Sequence, residues 1–539
     1  MQYQLADLFE SVVDRVPDRT ALVCDPRRLT FRELEERSNR LAHHLLAAGI
    51  RRGDHVGCYL QNCTEYVETM IACFKIGAVP ANVNYRYVEA ELRYLFDNAD
   101  LKVLVFDAEF TDRVEAVVPG IDTIEHLIAV TSDPDGPAEG DLPLGAVWYD
   151  TATADQPSTR EGLTDGRSPD DRYMLYTGGT TGMPKGVVWR HEDVFFAGMG
   201  GGNPVAEPVT SPEELAERLD PDGQGIVMFA APPLMHGAAF LGTFIGFFGG
   251  NTVALIRKFE GRAALELIAR ERIMTISLVG DAMALPLIEA LEEDSSLDTS
   301  SLFVMSTAGA IMSASVRDRL KELMPQLYIL DSYGSSETGY NGSATEDSSP
   351  DEGLKFKVTD RTAVINGDHL VTPGSDEVGR VAQSGHIPLE YYKSPEKNAE
   401  TFVEVEGKRW VLTGDAATVD EDGVIHFLGR GTVCINSGGE KIFPEEVEAA
   451  LKAHEAVRDA IVVGVPDERF GERCAAIITI AGDRTAPTQA EIEEHLSTRV
   501  ARYKVPRTLQ VVDEIVRSPV GKADYRWARE VAKASAVPA

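Results

Sequence analysis

Between Tyr176 and Gly186 the chain reads YTGGTTGMPKG. Thr177, Gly178, Gly179, Thr180, Thr181 and Gly182 offer backbone N–H groups and hydroxyls, and Lys185 adds a positive charge. Donors and a cation spaced this closely suit a phosphate chain. The string is not a Walker A loop, because Met183 and Pro184 separate Gly182 from Lys185. Taken alone, it also fits a turn-rich loop with no chemistry. Any anionic ligand would need such a local device, since 86 acidic against 52 basic residues leave a formal charge of −34. That balance repels nucleic-acid backbones and anionic lipid surfaces, so neither is an expected partner. The six cysteines, Cys24, Cys58, Cys63, Cys73, Cys434 and Cys474, form no C-x-x-C pair and no zinc spacing. They read as reduced thiols of a cytoplasmic protein, and MQYQLADLFE shows no secretory leader.

The 539 residues amount to about three and a half ordinary domains. The first 130 alternate helical and strand patterns. Leu5 to Val16 has helical spacing, and Ala21 to Cys24 is a short strand. Thr30 begins a helix with Glu33 completing a capping box and Gly49 as the stop. His55 to Leu60, Ala78 to Asn82 and Val103 to Phe106 read as strands, with helices at Thr64 to Gly77 and Glu89 to Ala99. Such alternation argues for a mostly parallel α/β sheet. Ser132 to Asp171, Gly200 to Gly225 and Ser343 to Asp360 read as loops, the first with a short strand near Val147 and the second with a small helix at Pro212 to Leu219. Gly223 to Ile256 carries no charge, but Pro232-Pro233, His236 and several glycines interrupt it. It reads as a loop, a buried helix from Gly237 to Phe248 and a buried strand from Thr252 to Ile256, with no membrane span. Residues 378–428 read as an antiparallel, barrel-like part. The last segment, 431–539, reads as a small α+β domain.

Five strings in order then resemble one family. The YTGGTTGMPKG loop resembles the phosphate loop of the adenylate-forming superfamily of AMP-dependent synthetases and ligases. Ser332–Gly339 (SYGSSETG) is similar to its Y-G-x-[ST]-E motif, and Leu412–Asp415 (LTGD) to its T-G-D motif. Gly429-Arg430 with the segment from Asn436 to Glu448 is similar to its hinge and following loop. Ser518–Lys522 (SPVGK) is similar to its C-terminal lysine motif. The resemblance spans essentially the whole chain. It implies an α/β adenylation domain over 1–430 and a small mobile domain over 431–539 carrying the lysine. It also implies a two-step reaction. A carboxylate attacks the α-phosphate of ATP and expels pyrophosphate, and a thiol, normally of coenzyme A, then expels AMP.

The resemblance also implies roles. Thr177 to Gly182 and Lys185 would hold the β- and γ-phosphates. Glu337 would bind Mg²⁺, and Ser336 would donate to the α-phosphate. Tyr333 would stack on adenine within Ser332, Tyr333 and Gly334. Gly309-Ala310 would lie beside the ring, with Asp331 at the adenine amino group or as a strand-end capping carboxylate. Asp415 would accept the ribose hydroxyls, with Arg430 assisting. Lys522 would reach the oxygen between carboxylate and α-phosphorus. Of these, Lys522, Glu337, Ser336 and Thr177 would be catalytic. Gly438, Gly439 and Glu440 would line the pantetheine path. The hinge departs from the family, with Thr432 and Val433 where polar residues are common.

Pro232 to Phe240 resembles the helix lining the acyl site, with His236, Gly237, Ala308 and Gly309 at the pocket; His236 is either a gate or simply packed. Phe244, Phe247 and Phe248 read as core. No Asp or Glu lies between Phe229 and Phe240 to hold an α-ammonium. That favours an apolar acid of fatty, aryl or steroid type. Transfer to a carrier protein, an amine or another nucleophile is the alternative, and a nucleotide binder without catalysis is a third reading. The oligomeric state, a homodimer included, is open.

Overall fold

The computed structural model describes residues 1–131, 142–177, 183–308, 312, 314–344, 355–430, 433, 435–437, 440–467, 471–482, 484–497, 499–500, 502–517 and 523–535. Side chains are described for all of these except 314–315, 341–344, 355–356, 429–430, 436, 440–441, 471, 503 and 535. Two eight-stranded sheets carry the body of the chain. One orders its strands as Gly339–Ala344, Tyr328–Ser335, Val304–Thr307, Thr275–Leu278, Val227–Ala230, Thr252–Leu255, Thr20–Cys24 and Arg27–Thr30. The other runs Glu390–Tyr391, Lys185–Arg190, Arg172–Thr177, Val79–Asn82, His55–Tyr59, Leu101–Asp107, His126–Val130 and Val147–Trp148. Most pairings of both are parallel, as the helix–strand alternation predicts, and the exceptions lie toward the sheet edges, among them Arg172–Thr177 with Lys185–Arg190.

Local rules account for the helices. Thr30 caps Phe31–Ala47 through a capping box with Glu33. The apolar 237–248 run forms Gly237–Phe248, with Phe244, Phe247 and Phe248 in the core. The 132–171 stretch is more than loop: Tyr149–Ala154 is a short helix. Arg160 and Arg167, farther along, bond Glu10 and Glu35 beside the wholly buried Lys75. These ions fasten an otherwise polar segment to the first two helices.

The antiparallel sheet is wider than 378–428. Its path begins at Lys355–Lys357, which pairs with Val424–His426, and it includes Thr362–Asn366 and His369–Leu370. Lys355–Lys357 lies inside the stretch read as loop; three residues are too few for a period-2 signal to stand out from polar neighbours. Beyond it, a five-stranded sheet is built from Glu440–Ile442, Ile435–Ser437, Gly471–Ile480, Val457–Asp467 and Thr508–Val511. Helices Pro444–Lys452 and Tyr525–Ser535 pack on its long hairpin. Among the described residues, no helix is long and apolar enough to cross a membrane.

Candidate functional site

The phosphate-loop string sits at the mouth of a hairpin. Arg172–Thr177 leads in, Lys185–Arg190 leads out, and Thr177 pairs with Lys185. Gly178 to Gly182 lie outside the described residues. A second hairpin, Tyr328–Ser335 with Gly339–Ala344, brings Ser336 and Glu337 to its tip. Its turn depends on two glycines. A Cβ on Gly334 would collide with the Gly339 carbonyl, and Gly339 has φ +70° with its Cα facing the Ala197 carbonyl oxygen. Ser335 Oγ accepts the Glu337 N–H at 3.2 Å and pairs with Thr338 Oγ1 at 3.0 Å.

The hairpins are tied together by residues the motifs do not contain. Trp189 Nε1 donates to the Ser336 carbonyl at 3.0 Å. Tyr391 donates its hydroxyl to Glu337 Oε1 at 2.8 Å, while Lys185 Nζ lies 5.8 Å from the centre of the Tyr391 ring. Burial, and then the Glu337 carboxylate, push the Tyr391 hydroxyl above its usual range, so it remains a donor. Lys185 and Glu337 thus meet around one tyrosine, with Thr177 paired to Lys185 and Ser336 held by Trp189.

Tyr333 donates to Asp415 Oδ2 at 2.6 Å, and its ring lies 4.6 Å from that of Phe427 at 59°. Asp415 stands on Lys408–Val419, paired with Arg430. Arg380 backs that strand, donating to the carbonyls of Thr413 at 2.9 Å and Leu412 at 3.3 Å. Burial lowers the Arg380 pKa, and the nearby Tyr391, Glu400 and Asp415 oppose that shift.

Asp331 lies within the Tyr328–Ser335 strand opposite Thr307, and Arg317 bonds its Oδ2. Its Oδ1 is buried without a hydrogen-bond partner. Burial raises the Asp331 pKa and Arg317 pulls it back. One acceptor of this carboxylate is therefore left unpaired, while Arg317 gives the other a structural role. Ser332 and Gly334 flank Tyr333 on the same strand. Ala308 donates its N–H to the Leu278 carbonyl at 3.2 Å. Gly309, Ala310, Gly438, Gly439, Thr432 and Lys522 fall outside the described residues, as do the side chains of Arg430 and Glu440. Val433 is buried.

His236 is the N-cap residue of Gly237–Phe248, half-buried, with Gly237 beside Leu175. One face of that helix is only partly covered. Ala238 is exposed, Leu241, Gly242 and Ile245 are half-buried, and a Cβ on Gly242 would meet nothing within 4 Å. The opposite wall is the first sheet. Gly246 of the helix faces Val253 and Met228, which pair with each other. Register carries the same sheet face across to Thr275, Ser277, Val304, Ser306, Tyr328 and Leu330. The last six are half-buried or exposed and belong to no core cluster. The partly exposed side of the helix and this partly uncovered sheet face, where Val304 and Leu330 alternate with Thr275, Ser277 and Ser306, outline a candidate slot.

The family model of the AMP-binding enzyme matches residues 9–389, and that of the AMP-binding enzyme C-terminal domain matches residues 446–522. The chain belongs to the AMP-binding enzyme family. Its relatives include a medium/long-chain-fatty-acid–CoA/3-oxocholest-4-en-26-oate–CoA ligase of Mycobacterium marinum, 43% identical, with 98% of this chain and 96% of that one covered. A 3-oxocholest-4-en-26-oate–CoA ligase of Rhodococcus rhodochrous is 44% identical with the same coverage. Among solved structures, the anthranilate CoA ligase AuaEII with anthranoyl-AMP superposes with a TM-score of 0.82 at 23% identity, covering 100% of this chain and 99% of that one. The mixed α/β fold read from the sequence is the fold of this AMP-binding enzyme.

The motifs thus led to the strands and hairpins that bring Lys185 and Glu337 together and pair Asp415 with Tyr333. They did not lead to Tyr391, Trp189, Arg317 or Arg380. Tyr391 lies 54 residues from the carboxylate it bonds, in a string, LEYYK, with no chemical spacing. The pairing of Glu390–Tyr391 with Val187 and Val188 creates its position, and only the folded sheet shows that.

Proposed function

We propose that this AMP-binding enzyme is an acyl-CoA synthetase for a bulky apolar acid, a medium- or long-chain fatty acid or a steroid-type acid. The observation that supports this is the open slot between the Gly237–Phe248 helix and the uncovered sheet face, which carries no acidic side chain along the helix. Relatives at 43% and 44% identity named as ligases of such acids support the same reading.

In the first step a carboxylate oxygen bonds to the α-phosphorus and the bond to pyrophosphate breaks. Thr177 to Gly182 and Lys185 hold the departing phosphates, and Ser336 donates to the α-phosphate. Tyr333 and Asp331 take the adenine, and Asp415 with Arg430 takes the ribose. Lys522 neutralises the bridging oxygen as charge develops there. In the second step the CoA thiolate, passing Gly438, Gly439 and Glu440, attacks the acyl carbon and AMP leaves. The lysine is carried by a unit spanning 431–539 that moves against 1–430.

The donors fit Mg²⁺. Glu337 is a carboxylate at a hairpin tip, and no group of three His, Cys, Asp or Glu that could hold a metal forms among the described residues. A cation bound here would rest largely on phosphate oxygens, as Mg²⁺ does, and would supply charge neutralisation. The buried, unpaired Cys24, Cys58, Cys63, Cys73 and Cys474 suit a reducing cytoplasm.

The test is pyrophosphate release over a panel of fatty, aryl and steroid acids, with and without CoA, for the wild type and Lys522→Ala. Release with a CoA-ester product, lost in the variant, is expected for apolar acids. Release without thioester would transfer the reading to another acceptor, such as a carrier protein. No release from any acid would leave a nucleotide binder.

A further inference from the structure

Two buried asparagines that no motif contains lie at the junction of the sheets. Asn82 ends the Val79–Asn82 strand. Its Oδ1 accepts the Tyr176 N–H at 2.6 Å, and its Nδ2 donates to the Tyr176 carbonyl at 2.9 Å. The carboxamide therefore acts as a peptide group, adding one rung to the ladder that pairs Ala81 with Met174. The second Nδ2 hydrogen reaches the turn that follows Val227–Ala230 of the other sheet and meets the Met235 carbonyl at 2.6 Å. Only one orientation of the amide satisfies all three bonds. Asn62, just beyond His55–Tyr59, grips the same turn: it accepts the Leu234 N–H at 2.7 Å and donates to the Pro232 carbonyl at 3.2 Å. Both side chains are about 4% exposed.

The partners of Asn82 each stand one residue from the reacting groups. Tyr176 precedes Thr177 at the phosphate loop, and Met235 precedes His236 at the acid slot. The two loops leave different sheets, so nothing in either ladder sets their separation. Joining an acid oxygen to an α-phosphorus requires near-contact alignment of two separately bound molecules. We propose that Asn82 is a positioning residue that fixes the acid turn against the phosphate loop for the adenylation step, while Asn62 holds the turn alone. This rests on the acyl-adenylating reading above.

A positioning role of this kind is specific to one half-reaction. Asn82→Ala leaves the Tyr176 and Met235 groups buried without these partners and frees the two loops to shift, and a misplacement of about 1 Å costs up to roughly a hundredfold in rate. Single-turnover adenylation, measured as ATP-dependent pyrophosphate formation with an acid that the wild type accepts, is expected to fall at least about tenfold. ATP affinity without acid is expected to change less than about threefold, since Tyr176 keeps its own hairpin. Thioester formation from the supplied acyl-adenylate and CoA is expected to stay at the wild-type rate. Asn62→Ala is expected to raise the KM for the acid and leave ATP affinity unchanged. Equal slowing of both half-reactions, or a lower melting temperature with unchanged adenylation, would overturn the proposal. Asn82→Ser serves where Asn82→Ala does not fold; failure of both to fold would also overturn it, making Asn82 a folding residue. A wild type that forms no adenylate with any acid would instead defeat the acyl-adenylating reading itself.

Discussion

The sheet through Val227–Ala230, Thr275–Leu278, Val304–Thr307 and Tyr328–Ser335 has two unlike faces. On one, Phe229, Ile276, Leu278, Met305 and Ile329 are no more than 1% exposed. They form a core with the helices Gly261–Glu271, Gly280–Glu293 and Ala314–Leu323. On the other, Thr275, Ser277, Val304, Ser306 and Leu330 stay half-buried beside the open side of Gly237–Phe248. Parallel sheets are normally covered on both faces. On the proposed function, the uncovered strip is the surface left free for the acid, so stability would rest on one side of the strands and selectivity on the other, with the backbone shared.

The largest effect expected from this contrast is on the covered face. Ile276→Ala removes a buried side chain from a packed core and is expected to cost about 2–5 kcal/mol. Chemical denaturation measures that loss. The ratio of kcat/KM values between two acids should stay at the wild-type value, and a changed ratio with unchanged stability would break the assignment of faces.

What could be read in advance was local: runs such as Val103 to Phe106 and the capping box at Thr30 carry strong signals, and the strand and helix they predict are present. The Gly-Thr loop, Glu337 and Asp415 were legible because their motifs are contiguous. What was not legible depends on register. Ser277 meets Ser306 because two parallel strands align 29 residues apart. Tyr391 reaches Glu337 because a two-residue strand adds to the sheet edge. The strand Lys355–Lys357 lacks any period of its own. Tertiary pairing decides each of these, and one sequence contains no record of it.

A buried acid in the C-terminal unit carries the contrast further, because it places a polar group where only apolar packing is expected. Glu448 is buried on Pro444–Lys452, and its Oε1 accepts the Val462 N–H at 2.8 Å. Burial raises its pKa from the usual 4.5 to about 7, opposed by that bond, with Lys452, Glu445 and Arg517 also nearby. Tyr525 shares a hydrogen bond with it. An acid raised in this way stabilises the fold while protonated. The contribution is complete below 4.5 and is lost as pH rises through about 7. The loss amounts to about 3 kcal/mol at most. Glu448→Gln keeps the acceptor and removes the charge. Its melting temperature is expected to vary less between pH 5 and pH 8, and to exceed that of the wild type at the alkaline end. Parallel curves for the two proteins would show that Glu448 is ionised at no cost.

On the open face the effects move from stability to selectivity. A leucine at Gly242 meets free space and gains helix propensity over glycine. Gly242→Leu is therefore expected to melt at or slightly above the wild-type temperature. The added side chain takes room from the slot, and the kcat/KM for the bulkiest accepted acid should fall by the equivalent of about 1–3 kcal/mol, with short acids little affected. A stability loss would mean that the helix face is packed and the slot lies elsewhere.

The smallest effect is the one that would sharpen the comparison most. Ser277 and Ser306 share a hydrogen bond at 3.0 Å on the open face, on strands whose opposite face is mostly apolar core. Hydroxyls that pair with each other remain able to bond a third polar group, because each has one donor and two acceptor sites. Ser277→Ala removes one partner while the half-buried Ser306 can turn to solvent or ligand, so the stability change is expected to stay below about 1 kcal/mol. The measurement is competition between a plain fatty acid and the same acid bearing a hydroxyl or oxo group along its chain. If the slot reads such a group, the variant shifts the ratio toward the plain acid by a few fold. An unchanged ratio would assign the serine pair to joining two strands and leave the open face selective for shape alone.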